Sequence, residues 1–361
     1  MNRTRAWLVT LALLLLAGSA HCQPWPRVEQ PAQGVTILYD DFGDWGGGSM
    51  GTSHQVNPSY QVRKTIDLSG LPEGALAAAK EARLRVFFAC QDYSWNLPDI
   101  EWNGLDESFE LHVNEHVHTY RTADVPHAKA GREDKMAWQW YDFIIPAEEL
   151  APGRNVFLFK KADSDLAPLE DYIYVGIDNT ESHGNSEMSD DGGATWSSEK
   201  LNAIDATGEY MVRLVLIATE LSASATWRPG VSDGLDDPAG LVGYAEVSSA
   251  EVTENGARLT PGAAAMLEFD VHVIDGVKPV SAEVQFAGAA PSVSWASRDG
   301  DALEAETTVA DGKLTSTVPA KLDRPAQLTL AAPEQGETEV RLVTINFSRP
   351  YLETEPVIDM A

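Results

Sequence analysis

Apolar and polar residues alternate in short stretches along most of the chain, and glycine, proline, asparagine and aspartate separate the stretches. Alternation with a period of two is the pattern of a half-buried β-strand. Over residues 35–219 it predicts one short Ala-rich helix, Gly74–Glu81, and no amphipathic helices between strands, which favours an antiparallel sandwich. The strands predicted in this region are Val35–Tyr39, Tyr60–Ile66, Arg83–Ala89, Phe109–Val113, His116–Tyr120, Trp138–Ile145, Asn155–Lys160, Tyr172–Asp178 and Tyr210–Ala218.

Residues 220–243 contain two prolines and several glycines without periodicity, and they predict a linker. Alternation resumes over residues 244–361, where the number and length of the strands are typical of an immunoglobulin-like sandwich. The sequence therefore predicts an all-β fold with two β-sandwich domains. The strands predicted in the second domain are Tyr244–Ser248, Met266–Ile274, Ser281–Phe286, Val293–Ala296, Glu304–Val309, Leu314–Val318, Ala326–Ala331 and Glu339–Phe347.

Residues 1–20 have the pattern of an export signal. Asn2–Arg5 is basic, Trp7–Leu16 is apolar, and small residues precede a cleavage point after Ala20. The apolar run is shorter than the about 20 residues that a membrane-spanning helix needs, and no later stretch is longer, so no membrane span is predicted. We expect a secreted protein, extracellular or periplasmic, in which residues 21–34 form a Pro- and Gln-rich leader.

The charge excludes one class of partner. Lys and Arg total 26 against 55 Asp and Glu, a formal net charge of −29, and such a surface repels a phosphate backbone. Nucleic acid is therefore not a predicted partner, and we expect a monomer. The two cysteines leave two alternatives open: Cys22 and Cys90 pair in an oxidising compartment, or Cys90 is a buried thiol within an apolar run.

Two segments of the first domain resemble a known family. Phe109–Asn114 has the form of a strand and turn, and Tyr141–Pro146 followed by Leu150–Asn155 has the form of a core strand, a Pro-Gly-x-Asn turn and a further strand. These segments resemble the galactose-binding-like jelly rolls, a fold shared by many carbohydrate-binding modules. The resemblance covers about residues 35–219 and implies a jelly roll for this domain.

The same resemblance implies a structural calcium ion where the first and last strands meet. Asp40 and Asp41 near the first strand and Glu209 before the last are the ligands that the resemblance suggests. Calcium takes six to eight oxygen ligands, and the sequence offers these three.

A second resemblance is more specific. Ser189–Trp196 fits the Asp-box pattern Ser-x-Asp-x-Gly-x-Thr-Trp at Ser189, Asp191, Gly193, Thr195 and Trp196. The motif resembles a small self-supporting hairpin that recurs in sialidase propellers and in other secreted glycan-handling proteins. A propeller carries several copies and this chain carries one, so the box is predicted to be structural rather than catalytic.

Two groups of tryptophans are candidate sugar platforms. In Trp138–Ile145, alternation places Tyr141, Phe143 and Ile145 on one face and Trp138, Trp140 and Asp142 on the other. If the first face is core, two indoles and a carboxylate point outward, and indole planes and carboxylates commonly recognise sugars. Packing of the indoles under a loop or against the second domain is the alternative.

The second group lies in the loop that follows Asp92. Trp95 and Trp102 are candidate platforms, and Asp99 and Glu101 are candidate hydrogen-bond partners. An ordinary loop anchored by buried indoles is the alternative. Three nearby histidines, His112, His116 and His118, do not predict a metal site, because a turn at Asn114–Glu115 leaves His112 on the opposite face.

The sequence thus favours non-catalytic binding of a glycan by the first domain, with the second domain as a spacer or docking module. One alternative is a β-sandwich enzyme, a hydrolase or lyase, that acts on polysaccharide through the acidic loop 92–107. The other is a structural or adhesive exoprotein that binds no sugar.

Overall fold

A computed structural model describes residues 26–30, 34–43, 53–92, 104–125, 127, 138–162, 170–219, 222–227, 244–248, 250–253, 256–261, 266–270, 273–297, 302–322, 325, 327–351 and 357–359. The predicted export signal and Cys22 lie outside these residues, as do Trp95, Asp99, Glu101 and Trp102 of the acidic loop. The regular structure of the described residues is almost entirely β-strand, which confirms the all-β prediction. None of the helices in these ranges has the length and hydropathy needed to cross a membrane.

The first half of the chain forms two antiparallel sheets. The first sheet has the order β1-β2-β13-β5-β10-β12, with β8 also paired to β5 and β3 to β10, and the second has the order β11-β4-β9-β6-β7. One helix, α1 (Ala75–Ala78), lies between β4 and β5. The strands are β1 Arg27–Glu29, β2 Val35–Tyr39, β3 Ser53–Val56, β4 Gln61–Asp67, β5 Glu81–Asp92, β6 Ser108–Val113, β7 His116–Arg121, β8 Gln139–Ile145, β9 Arg154–Lys161, β10 Asp171–Asp178, β11 Ser186–Ser189, β12 Glu209–Tyr210 and β13 Val212–Ile217.

The core of this sandwich lies between its two sheets. Tyr141, Phe143 and Ile145 of β8 are buried there, as the alternation predicts, against aromatic side chains such as Phe109 on the second sheet. Cys90 is fully buried in the same core, the position that the buried-thiol alternative requires.

Two asparagines hold the predicted turns. Asn114 begins the β6–β7 turn with φ 54°, and this turn pairs Val113 with His116 as predicted. The fully buried Asn155 donates to the carbonyls of Ala151 and Gly153 and so closes the turn before β9. Its Oδ1 also accepts a hydrogen bond from Asn114 Nδ2, so the two turns are joined. The side-chain amides satisfy backbone groups that the turns leave without ladder partners.

The first sheet forks at the middle of β5. Strand β13 pairs with β5 over Glu81–Val86, whereas β10 takes the same side of β5 over Phe88–Asp92. At the fork the Phe87 amide donates to Met211 O, and the Met211 amide donates to Gly176 O. Backbone hydrogen bonding therefore continues across the branch.

The second half of the chain forms two further sheets. One has the order β16-β17-β26-β20-β24-β23 with β14 paired to β26, and the other has the order β22-β21-β25-β18-β15-β27. A second core of buried apolar residues, centred on Trp227 and Trp295, belongs to these strands. They are β14 Ser222–Trp227, β15 Tyr244–Ser248, β16 Glu251–Thr253, β17 Gly256–Leu259, β18 Met266–Asp270, β19 Val273–Ile274, β20 Pro279–Gly288, β21 Ser292–Ala296, β22 Leu303–Glu304, β23 Glu306–Ala310, β24 Lys313–Thr317, β25 Gln327–Ala331, β26 Thr338–Tyr351 and β27 Val357–Asp359.

One segment of the predicted linker is a strand. Ser222–Trp227, assigned to the linker from the sequence, is strand β14 and pairs with β26. Ala225 and Trp227 are buried in the second core. The alternation is carried there by small residues and one tryptophan, which gives a weak apolar period and a composition like that of a loop.

The two halves meet along β8. Strand β19 pairs in parallel with β8 at Tyr141 and Asp142, and the Asp275 amide donates to Asp142 O at 2.9 Å. Ile144 of β8 packs against the second core. The outer face of the first sheet is therefore covered by the second half of the chain around Asp142 and Ile144.

Candidate functional site

Four aromatic side chains lie together on the outer face of the first sheet, at the fork in β5. Phe87 is central: the Trp138 ring stacks on it at 5.4 Å and 21°, and the Trp140 ring lies 5.4 Å away at 58°. Tyr174 meets Trp138 edge-on at 6.3 Å. Phe87, Trp138 and Trp140 are partly exposed, whereas Tyr174 is buried. These four residues are called the aromatic group below.

The fork makes room for this group. Gly176 lies beside Phe87, where a Cβ would stand 2.7 Å from Phe87 Cδ1 and 3.2 Å from Met211 Sδ. Since Cβ contacts below 3.0 Å essentially do not occur, a side chain at Gly176 would displace the ring. A hydrogen bond orients Tyr174, because its hydroxyl donates to Gln91 Oε1 at 3.3 Å. The aromatic group is thus held by packing rather than left to rotate.

A guanidinium lies against one end of the group. Arg213 Cζ is 4.4 Å from the centre of the Trp140 ring, a cation–π contact. Arg213 is 5% exposed, and Asp41 accepts from its Nε at 3.0 Å and its Nη2 at 2.5 Å. Asp41, a suggested calcium ligand, is therefore an ion-pair partner that orients the guanidinium over the indole.

Asp142 does not take the role that the sequence suggests. Alternation places it on the outer face with Trp138 and Trp140, but it is fully buried. Its two oxygens accept from Arg85 Nε at 2.6 Å and Arg85 Nη2 at 2.7 Å, and Arg83 Nη1 lies 3.7 Å away. The carboxylate lies where β19 pairs with β8 and where Ile144, on the same face, packs against the second core, and its burial keeps it from a ligand in solution.

Two buried carboxylates, Asp171 and Glu107, interact where the chain leaves the acidic loop. Asp171 Oδ2 accepts from the amides of Asp106 and Glu107 and from Thr122 Oγ1, at 2.7–2.9 Å. Glu107 in turn accepts from the Asp171 amide and pairs with Lys161 Nζ. Burial raises the pKa of Asp171 to about 6, although hydrogen bonds and Lys161 act in the opposite direction. These groups tie the chain after the loop to the start of β10.

The two other suggested calcium ligands both contact one lysine. Asp40, directly after β2, and Glu209 on β12 lie on either side of Lys64 Nζ, at 2.5 and 2.6 Å. The ammonium nitrogen occupies the point between the carboxylates that a shared metal ion would take. The residues present therefore do not fit a calcium ion, and the described residues contain no group of three or more His, Cys, Asp or Glu able to hold a metal.

Residues 189–196 form a closed hydrogen-bonded loop. Ser189 Oγ accepts from the Gly193 amide at 2.7 Å and donates to Asp191 Oδ1 at 2.8 Å. Asp191 also accepts from the amide and hydroxyl of Thr195, and Trp196 Nε1 donates to Gly193 O. Gly193 has φ 93°, a region that L-residues avoid. All five residues that match the motif take part in the loop.

The three histidines divide as the register predicts. His118 Nε2 lies 2.6 Å from Glu149, and His116 Nδ1 lies 3.9 Å from the same carboxylate. His112 pairs instead with Glu110, two residues before it on β6. They do not converge.

Sequence reasoning missed Phe87, Tyr174 and Arg213. Alternation along β5, β10 and β13 could have placed each on the outer face, because their neighbours Phe88, Val175 and Leu214 are core residues. What the sequence could not supply was the fork that brings these three strands together.

No model of a known protein family matches the chain, and no curated protein does. The lectin from Pleurotus ostreatus in complex with GalNAc is similar at 11% identity over 85% of this chain and 78% of that one, with a TM-score of 0.18. An iolb-like protein from Salmonella typhimurium LT2 is similar at 9% identity over 91% and 90%, with a TM-score of 0.15. Vicilin from Corylus avellana is similar at 7% identity over 88% and 82%, with a TM-score of 0.14. At TM-scores this low, none of these likenesses bears on the function.

Proposed function

We propose that this protein binds a glycan without catalysis, through the aromatic group on the first sandwich. The observation that carries the proposal is the pair of partly exposed indoles, Trp138 and Trp140, which both pack against Phe87. An aromatic plane covers the apolar C–H face of a pyranose, and rings that are already fixed lose little entropy when they bind. The second sandwich then acts as a spacer or docking module.

The charges around the group favour an uncharged glycan. Arg213 beside Trp140 is engaged by Asp41, and Arg85 nearby is engaged by Asp142. An acidic glycan would meet a chain with a net charge of −29, whereas a neutral one would meet no long-range repulsion.

The loop at residues 189–196 supports a role in a secreted glycan-binding protein. Its hydrogen bonds are those expected of an Asp-box hairpin, with Asp191 accepting in the turn and Trp196 closing it. We propose that it stabilises the edge of β11 and takes no part in binding. From the export pattern of residues 1–20 we also propose that the protein acts outside the cytoplasm, and sequencing the secreted form should give His21 as its first residue.

Affinity electrophoresis of the mature protein through neutral and acidic polysaccharides tests the proposal. We expect at least one neutral polysaccharide to retard the wild type. Trp138→Ala and Trp140→Ala should each weaken the binding by about tenfold, which corresponds to about 1.4 kcal/mol for a lost ring contact. Trp196→Ala is the matched control, because that partly exposed indole lies under Arg63 at 4.2 Å in a different part of the sandwich.

Two outcomes would reject glycan binding by the aromatic group. If no polysaccharide retards the wild type, the structural or adhesive alternative replaces it. If retardation is equal in Trp138→Ala, Trp140→Ala and Trp196→Ala, the sugar binds elsewhere. Turnover of any polysaccharide in the panel would favour the enzyme instead.

A further inference from the structure

Lys64 is the most deeply buried lysine among the described residues, and glycan binding does not use it. It lies on β4 of the second sheet and is 1% exposed. Its Nζ contacts Asp40 Oδ1 at 2.5 Å, Glu209 Oε2 at 2.6 Å and Ser186 Oγ at 3.0 Å. Asp40 directly follows β2 and Glu209 lies on β12, both of the first sheet, so one ammonium joins the two sheets of the sandwich.

The carboxylate oxygens around the ammonium also accept hydrogen bonds from other residues. Glu209 Oε1 accepts from the amide of His183 at 2.6 Å, and Glu209 Oε2 also accepts from Ser186 Oγ. Asp40 Oδ2 accepts from Asn185 Nδ2 at 2.9 Å. An ammonium has three donors, and three oxygens of this cage stand within reach of them. The cage is therefore complete around a single positive charge.

The electrostatics agree with a charged lysine. Burial alone would lower the pKa of Lys64, but the two carboxylates outweigh it and hold the pKa above its usual value. Burial likewise would raise the pKa of Glu209, but Lys64 and the hydrogen bonds keep it below its usual value. The pKa of Asp40 is raised, because burial and the neighbouring Glu209 outweigh Lys64 and Asn185 there. A second cation in this cage would meet the ammonium at close range and would have to displace it.

We propose that Lys64 is a built-in cation that ties the two sheets together in place of a metal ion, and that the cage binds a free cation only when the lysine side chain is shortened. This inference is independent of the glycan proposal. It replaces the calcium expectation for Asp40 and Glu209 with a covalently attached positive charge.

Amine labelling of the wild-type protein tests the first half. Native protein is treated with an acetylating reagent in CaCl₂ or in chelator, and each lysine is followed by mass spectrometry. Lys64 should stay unmodified in both, whereas Lys160, which is 26% exposed beside Glu110, should react. Labelling of Lys64 at the rate of Lys160 in CaCl₂ would mean that calcium expels the lysine, which overturns the proposal.

Lys64→Ala tests the second half, with Lys160→Ala as the control. Removal of the ammonium leaves two buried carboxylates uncompensated, and we expect the Tm to fall by roughly 10 °C. Calcium or n-propylammonium should restore part of the loss at matched ionic strength, and neither should shift the Tm of Lys160→Ala. If Lys64→Ala does not fold unaided, the refolding yield with and without each cation gives the same comparison. If neither calcium nor n-propylammonium restores any of the lost Tm or refolding yield, the proposal that the shortened side chain opens a cation site is overturned.

Discussion

The two sandwiches share an architecture but bury different chemistry. Every charged side chain that is buried among the described residues precedes residue 214, and the set includes Lys64, Arg85, Asp142 and Asp171. In the second half the buried polar residues, over the same described ranges, are Ser316 and Thr338. Ser316 accepts a hydrogen bond from Trp295 Nε1 at 3.0 Å, which is a neutral contact.

The difference shows which interactions determine the arrangement of the strands in each half. A buried ion pair repays its desolvation only when its geometry is held closely, so it constrains the strands that carry it. The Arg85–Asp142 and Arg213–Asp41 pairs lie on the face that carries the aromatic group, and Arg213 contacts Trp140 directly. Apolar packing makes no such demand on direction. In the first sandwich, therefore, the ion pairs fix the positions of the side chains around the aromatic group, as the proposed glycan binding requires.

Asp142→Ala should have the largest effect on this comparison. It leaves the Arg85 guanidinium buried without its partner, and we expect the first sandwich to lose about 3–5 kcal/mol of unfolding free energy. The Arg85→Met, Asp142→Leu double variant removes both charges and should lose much less. Hydrogen-exchange mass spectrometry of β5 and β8 measures both. A double variant that is less stable than Asp142→Ala would contradict the ion-pair account.

Leu328→Ala should give a smaller loss, confined to the second half. Leu328 is fully buried and lies opposite Trp295 in the β21–β25 pair, so truncation leaves a cavity that costs about 3 kcal/mol. The loss should be the same from pH 4 to pH 8, because the substitution removes apolar contacts and no titratable group. Urea unfolding followed by tryptophan fluorescence checks this, and a loss that varies with pH would contradict it.

The sequence predicted most strands and the faces of β8, because alternation and turn residues are local signals. Val35–Tyr39 and Tyr244–Ser248 have the bounds predicted for them. The ligand-binding role suggested for Asp142 is wrong, because its side chain is buried where a distant part of the chain meets β8. Alternation assigned its face correctly, but the second half of the chain, which meets β8 at this point through Val273–Ile274, is distant in the sequence.

Lys64 could have been found from the sequence. It stands between Val62 and Ile66 in the alternation of β4, and both of those residues are buried in the first core. A lysine on the apolar face of a strand predicts a buried charge that needs carboxylates. Which carboxylates it meets depends on how β2 and β12 pack over β4, and local pattern does not encode that packing.

Asp171→Asn should change the pH dependence of the first sandwich. Its pKa is raised from 3.8 to about 6, so the folded state holds the proton more tightly than the unfolded state does. Ionisation between about pH 4 and pH 6 therefore lowers stability as the pH rises, and Asp171→Asn removes this contribution. Urea unfolding at a series of pH values should show the variant gaining on the wild type across that window. Glu283→Gln, at an exposed pair with Lys313, is the control and should show no gain.

Asp191→Ala should have the smallest and most local effect. Hydrogen bonds from the amide and hydroxyl of Thr195 lower the pKa of Asp191 to about 2, so its support of the loop is present above about pH 4 and is lost as the pH falls through 2. Because Asp191 is exposed, we expect no measurable change in global stability but faster proteolysis within residues 189–196. Asp190→Ala is the matched control, since Asp190 pairs with Lys200 at the surface and makes no contact within the turn that is comparable to those of Asp191. Equal cleavage of the two variants would show that the loop is held by its glycines and Trp196 rather than by the Asp191 carboxylate.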